Sequence, residues 1–308
     1  MLIDKPAGKT SHDVVAIVRK ALQTRRVGHA GTLDPMATGL LVLLVGDATR
    51  VASYVTAGDK RYEATVTFGQ GTDTLDAEGT VTETGPISDE LRRALEAARL
   101  GLVQEPLAAA LSAERSRTLQ VPPSVSALHV DGERAHDRVR RGETVVLPPR
   151  PVTLLAASVT TADPASPFPS LSLSVHVSKG FYVRSLARDL GVTLGVPAHL
   201  SALRRTSSGR LRLEDAVAPD GDLGAALVPL VSALTSIFVP TILTLEGEAR
   251  AVQGKKLGPE HFAEAPAPGI GLWLSAIRPS EGPPQRVIAI GEWAEEVGQV
   301  CRGFPAPP

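Results

Sequence analysis

Gly28-His29-Ala30-Gly31-Thr32-Leu33-Asp34-Pro35-Met36-Ala37-Thr38-Gly39 runs directly into Leu40-Leu41-Val42-Leu43-Leu44-Val45. Six apolar residues without a break, after a turn-rich stretch, read as a strand buried on both faces. The twelve residues before it are rich in glycine, threonine and proline and read as an irregular loop lying against the core. Pro35 biases Asp34 toward extended backbone and contributes no N–H, so a carboxylate is carried on a stiffened loop. Residue chemistry leaves two readings open: an ordinary Asp-Pro turn, or a working carboxylate. A phosphate-cradling loop is a poor rival, because Gly-Lys-Ser/Thr is missing and Asp34 would repel phosphate.

Working outward, the pairs Val14/Val15, Ile17/Val18 and Ala21/Leu22 form one stripe of an amphipathic helix over residues 10–22, with Ser11 available as N-cap. A second helix is expected over residues 48–55. Tyr62, Ala64, Val66 and Phe68 alternate as in a half-buried strand, which the polar stretch 69–79 ends. Residues 88–100 read as a capped helix. Leu171, Leu173, Val175 and Val177 define another period-two strand; Lys179-Gly180 turns the chain, and Leu186, Leu190 and Leu194 recur at helical spacing before Gly195. Residues 161–169 read as a surface insertion. Strands and helices without repeated strand-helix crossovers predict an α+β fold with a mixed, largely antiparallel central sheet. Beyond residue 238 the apolar pieces 270–277 and 287–290, separated by Pro/Gly stretches, predict a small β-rich C-terminal domain. The expected division is 1–238 and 239–308.

Composition narrows the function. Of 308 residues 43% are hydrophobic and 21% charged, as in a globular protein with a substantial core. No apolar run approaches the ~20 residues of a membrane span. No secretory signal is visible at the N-terminus, so a cytoplasmic location is expected. The single cysteine, Cys301, precludes an intramolecular disulfide framework, and the seven scattered histidines form no metal-ligand pair, so no metal is expected. Lysine plus arginine (32) balance aspartate plus glutamate (33), but basic residues cluster at 19–20, 25–26, 60–61, 134–141 and 204–212. Such clusters are either solvated faces or pieces of a phosphate-binding track.

The segment 31–41 resembles the aspartate motif of the bacterial tRNA pseudouridine-55 synthases, the TruB family. Further blocks agree in the same order: Ile3-Asp4-Lys5-Pro6, Asp59-Lys60-Arg61-Tyr62, residues 69–79, Ser178-Lys179-Gly180-Phe181-Tyr182-Val183-Arg184, and Leu203-Arg204-Arg205. The match covers roughly residues 2–212. It implies a pseudouridine synthase fold followed by a PUA-like RNA-binding domain, and isomerisation of one uridine in the T loop of tRNA by base flipping. Asp34 would be the essential carboxylate, Arg184 its cationic partner lowering its pKa, and Tyr62 the ring against the target base. The resemblance further assigns Tyr182 and Leu203 to the same pocket, His29 to the T loop, Asp76 to a place near the active-site cleft and Lys5, with Pro6, to a buttress at the start of the catalytic domain. No cofactor is implied, because the reaction is a redox-neutral isomerisation. The expected partner is tRNA, bound through its elbow and T loop by a monomer without an obligate protein partner or a membrane. Within 121–141, His129 and His136 depart from the family's more usual lysine and tyrosine. The rival readings are a synthase with another RNA target and a non-catalytic tRNA-folding helper.

Overall fold

The computed structural model describes residues 1–126, 128–130, 133–134, 138, 141, 143, 145, 147–276 and 286–304. The main sheet is built from β1 (Leu2–Lys5), β2 (Val27–Ala30), β3 (Thr38–Val45), β4 (Lys60–Phe68), β5 (Leu154–Asp163), β6 (Ser170–Val177) and β7 (Ala198–Ser208). Its order is β1-β3-β7-β4-β6-β5, with β2 paired to β3 and Leu211–Arg212 to β7. Within it only β3 and β7 run parallel, through Arg204 opposite Thr38 and Arg205 opposite Gly39. The sheet is therefore mixed and largely antiparallel, as the sequence predicts.

β3 shows why its run of apolar residues has no polar face. Leu41 and Leu43 join a cluster with the helices α1 (Ser11–Ala21), α2 (Asp89–Arg99), α3 (Leu107–Ser116) and α4 (Val183–Leu194). Leu40, Val42 and Leu44 face the other way, onto Leu272, Leu274, Val287, Ile290 and Phe304 of the C-terminal part. Each buried leucine contributes about 2 kcal/mol from water exclusion, so this one strand ties two layers together. The C-terminal sheet consists of β8 (Pro240–Ile242), β9 (Gly269–Leu274), β10 (Val287–Ala294) and β11 (Val297–Gly303), in that order, beside helix α5 (Leu245–Val252).

Several local expectations change. The N-cap of α1 is Thr10, in a capping box with Asp13; Ser11 lies inside the helix, where its hydroxyl donates to Leu33 O and accepts from Leu33 N. The loop of residues 28–39 is not irregular throughout, since Val27–Ala30 pairs with β3. Residues 48–55 form a 3₁₀ turn, Gly46–Val51, followed by one short helix, Ala52–Val55. Two basic clusters have members that fit neither a solvated face nor a phosphate track. Lys60 is buried with its ammonium on the Thr56 and Gly58 carbonyls, and Arg205 is buried beneath the sheet's end. Desolvation, with Arg205 and Lys179 nearby, holds the Lys60 pKa down at about 8. His136 and Ile277 lie outside the described residues.

Gly39 is the tightest point of the parallel junction. Its φ is +93°, and a Cβ there would sit 2.4 Å from Arg205 O and 2.8 Å from Arg205 N. Gly180 has a similar φ of +85° with nothing within 4 Å of a Cβ. Gly180→Ala should cost only left-handed strain, about 1 to 2 kcal/mol. Gly39→Ala adds a backbone collision and should cost about 3 kcal/mol or more, roughly 6 °C or more in Tm. Thermal unfolding of the two variants checks this, and equal melting temperatures would contradict it.

Candidate active site

The site forms where three loops meet the N-terminus of α4. Phe181 and Tyr182 lead the chain out of β6, and Gly195 closes the helix in the left-handed conformation at φ +69°. Tyr182 is the N-cap by position but offers no side-chain cap. Its peptide is held instead by Gln120, whose Oε1 accepts from Tyr182 N at 2.9 Å and whose Nε2 donates to Tyr182 O at 3.2 Å.

Arg184, on the first turn of α4, is only 6% exposed. A guanidinium carries five N–H groups, and here its nitrogens meet five oxygens. Nε lies 3.0 Å from Asp34 Oδ2, and Nη2 donates to Asp34 Oδ1 at 3.2 Å and to Val125 O at 3.0 Å. Nη1 donates to Thr74 O at 2.9 Å and sits 3.3 Å from Asp76 Oδ2. One buried cation thus joins Asp34, Asp76 and two backbone carbonyls from separate segments. Asp76 is itself fixed, since its Oδ1 accepts from Thr74 Oγ1 at 2.6 Å and Glu78 N at 3.1 Å. The carbonyls of Thr74 and Val125 carry no sequence signal, because any residue could supply them.

The loop bearing Asp34 is held from three more sides. Lys5 is 0% exposed, and its ammonium donates to Pro6 O, Lys9 O and Pro35 O, the last at 3.1 Å. Its three donors therefore all end on carbonyls, and its contact with the site is through Pro35. Arg205 Nη2 donates to Gly31 O at 3.0 Å and Nε to Leu40 O at 2.7 Å. Ser11 brackets Leu33, the residue before Asp34. Charge counting does not predict that Arg205 serves the loop from inside.

The Asp34 side chain is 31% exposed, so it is not sealed from solvent. Burial raises its pKa above the ordinary carboxylate value; Arg184 and Lys5 act against this, and Asp76 reinforces it. Arg184 pulls in the direction the sequence implies, but desolvation outweighs it, so the net direction is upward. Tyr62 is half-buried on β4, in register with Arg205 of β7 and Val175 of β6. It packs on the cluster that contains Leu33, Val183 and Leu203. Leu203 is buried opposite Ala64, and its carbonyl accepts from Thr38 Oγ1 at 3.4 Å. Burial pushes the half-buried Tyr182 hydroxyl's pKa up.

His29 lies on β2 opposite Leu43, and no contact joins it to Arg184 among those described for either residue. Its ring meets His12 edge-on, with centroids 5.3 Å apart. The structure thus brings Asp34, Asp76 and Arg184 into direct contact and holds the loop through Lys5 at Pro35, while Tyr62 and Leu203 pack on the main core and Tyr182 precedes Arg184 at the start of α4. Among the described residues no group of three or more histidine, cysteine, aspartate and glutamate side chains is arranged to hold a metal ion, and no helix is long and apolar enough to cross a membrane.

Comparison with known proteins bears on this arrangement. A family model described as TruB family pseudouridylate synthase, N-terminal domain, matches residues 19–183, and one for the tRNA pseudouridylate synthase B C-terminal domain matches residues 184–228. A protein named tRNA pseudouridine synthase B from Leifsonia xyli subsp. xyli is 41% identical over 307 residues, covering 99% of this chain and 96% of the relative. One of the same name from Thermobifida fusca is 42% identical, covering 95% and 93%. A third, from Corynebacterium efficiens, is 45% identical over 84% of each chain. Among solved structures, a chain from an H/ACA RNP bound to a substrate RNA containing 2′-deoxyuridine superposes with a TM-score of 0.66 at 19% identity, covering 99% of this chain and 85% of that one. A Cbf5-Nop10-Gar1 complex gives 0.64 at 22%, covering 99% and 84%. At such identities these two establish the fold alone. With a family model spanning more than half of its length and relatives above 40% identity along nearly all of it, the chain belongs to the TruB family of pseudouridylate synthases.

Proposed function

We propose that the chain converts uridine to pseudouridine at position 55 in the T loop of tRNA, with Asp34 as the reacting carboxylate. The observation that carries this reading is the two-oxygen grip of the buried Arg184 on Asp34; Tyr62 and Leu203 are assigned to the walls of the cleft this carboxylate faces. The relatives' shared name supports tRNA as the substrate. A base inside the folded elbow must leave its stack to reach the carboxylate, and an aromatic face such as Tyr62 replaces the lost stacking.

The reaction is an isomerisation. The N1–C1′ bond breaks, the uracil turns, a C5–C1′ bond forms, the proton on C5 leaves and N1 gains one. Asp34 must be ionised at the start, whether it adds to uracil C6 or assists departure of the base from the sugar. Arg184 orients the carboxylate so that its free lone pairs face the cleft. The Tyr62 hydroxyl is assigned to the proton lost from C5, and Tyr182 and Leu203 to the pocket wall. Asp76 completes the Arg184 cradle, Lys5 fixes the loop backbone and His29 meets the T loop. Residues 239–308 are assigned to docking the RNA outside the cleft. The enzyme acts as a single chain in the cytoplasm without an obligate protein partner.

Asp34→Asn should leave tRNA affinity within about threefold and reduce pseudouridine formation by about 10³-fold or more. Mapping modified uridines in a tRNA transcript incubated with purified protein checks both site and role. Product elsewhere than the T loop, or full activity of the variant, would contradict the proposal.

The raised Asp34 pKa has a definite sign in a pH profile. Activity needs the ionised form, so kcat should fall as pH drops through a limb lying above the ordinary carboxylate value of about 3.9. Arg184→Gln removes a cation that favours ionisation, so this limb should move to higher pH while maximal kcat drops about 10²-fold. A single-turnover pH series on both proteins measures it; an unmoved limb would mean that another group titrates.

A further inference from the structure

We infer that His12 is a positioning residue for RNA: its ring, packed edge-to-face on His29, sets the orientation in which His29 meets the T loop. The inference rests on the assignment of His29 to the T loop. It begins with a residue whose polar atoms are not all satisfied. His29 Nδ1 is buried and has no hydrogen-bond partner. Ring orientation and tautomer in a histidine are ordinarily set by the bond its second nitrogen makes, and here no such bond exists. Backbone pairing with Leu43 fixes where the side chain starts but not how the ring turns.

His12 supplies the missing restraint. The two rings stand at 86° with centroids 5.3 Å apart, within the range where edge-to-face contact is favourable. His12 is at the second position of α1, and that end of the helix cannot drift. Thr10 and Asp13 close a capping box, and Ser11 is bonded to both the N–H and the carbonyl of Leu33. The helix start is therefore joined to the reactive loop at Leu33 through Ser11 and to β2 at His29 through His12. His12 itself is exposed, so RNA laid across His29 would also pass over His12. Burial, His12 and Arg205 all push the His29 pKa down, in that order, which keeps the ring neutral with one donor and one acceptor.

The test compares His12→Ala, His12→Phe, His29→Ala and the double variant His12→Ala/His29→Ala on a full-length tRNA transcript. Wild type must first place pseudouridine in the T loop; failure there overturns the functional reading and this inference with it. His12→Ala should raise KM by about 3- to 10-fold with kcat within about twofold, the range expected for losing one aromatic pair. His12→Phe keeps an edge-to-face ring without the nitrogens and should restore KM to within about twofold. The double variant should be no worse than His29→Ala, because His12 acts through His29. A strong defect in His29→Ala with none in His12→Ala overturns the inference while leaving the functional reading intact. Additive defects, or a lost Tm in His12→Ala that His12→Phe does not recover, also overturn it.

Discussion

The arrangement depends on one buried guanidinium. Arg184 is removed from water on the first turn of α4, and a cation so placed is tolerated only when its donors all meet acceptors. It meets that condition by drawing in oxygens from three segments distant in sequence: Asp34, the stretch from Thr74 to Asp76, and Val125. The cost of burying the charge thereby becomes a geometric constraint. If any one segment moves, an N–H of the buried guanidinium is left without a partner.

The same logic recurs around the loop of Asp34. Lys5 spends its donors on carbonyls that include Pro35, and Arg205 spends two on Gly31 and Leu40. Three buried cations thus grip one loop through backbone oxygens or its single carboxylate. The helices and the C-terminal sheet bury opposite faces of β3, and this gives the cations a fixed frame. Apolar packing positions the frame, and charged hydrogen bonds position the loop within it.

How much of this was legible in sequence follows from which signals are local. The buried strand of residues 40–45 and the strand-turn-helix unit carrying Arg184 were readable because period and turn chemistry act over a few residues. The basic cluster of residues 204–212 does not by itself reveal that Arg205 points inward, although the strand holds a clue. Consecutive strand residues face opposite ways, so Arg204 and Arg205 could not both point to solvent on one face. Arg204 pairs with Asp4 at the surface while Arg205 joins the Leu203 side. The N-cap of α1 was likewise decidable: Thr10 has Asp13 three residues on, the spacing of a capping box, whereas Ser11 has a valine there. The carbonyls of Thr74 and Val125 were beyond reach, since a main-chain oxygen carries no residue identity.

The final constraint is electrostatic. Pairing with Arg184 alone would favour the ionised carboxylate and lower its pKa. In this cleft desolvation overrides the pairing, and Asp76 shares the same guanidinium, so the pKa of Asp34 moves up rather than down. For the role proposed for Asp34, a higher pKa means a more basic oxygen than an anion whose pKa its partner had lowered. Arg184 and Lys5 act against that rise by favouring the ionised form. Orientation and pKa are therefore set by opposing terms: the bidentate grip fixes the oxygens and favours the anion, while burial and a second carboxylate disfavour it.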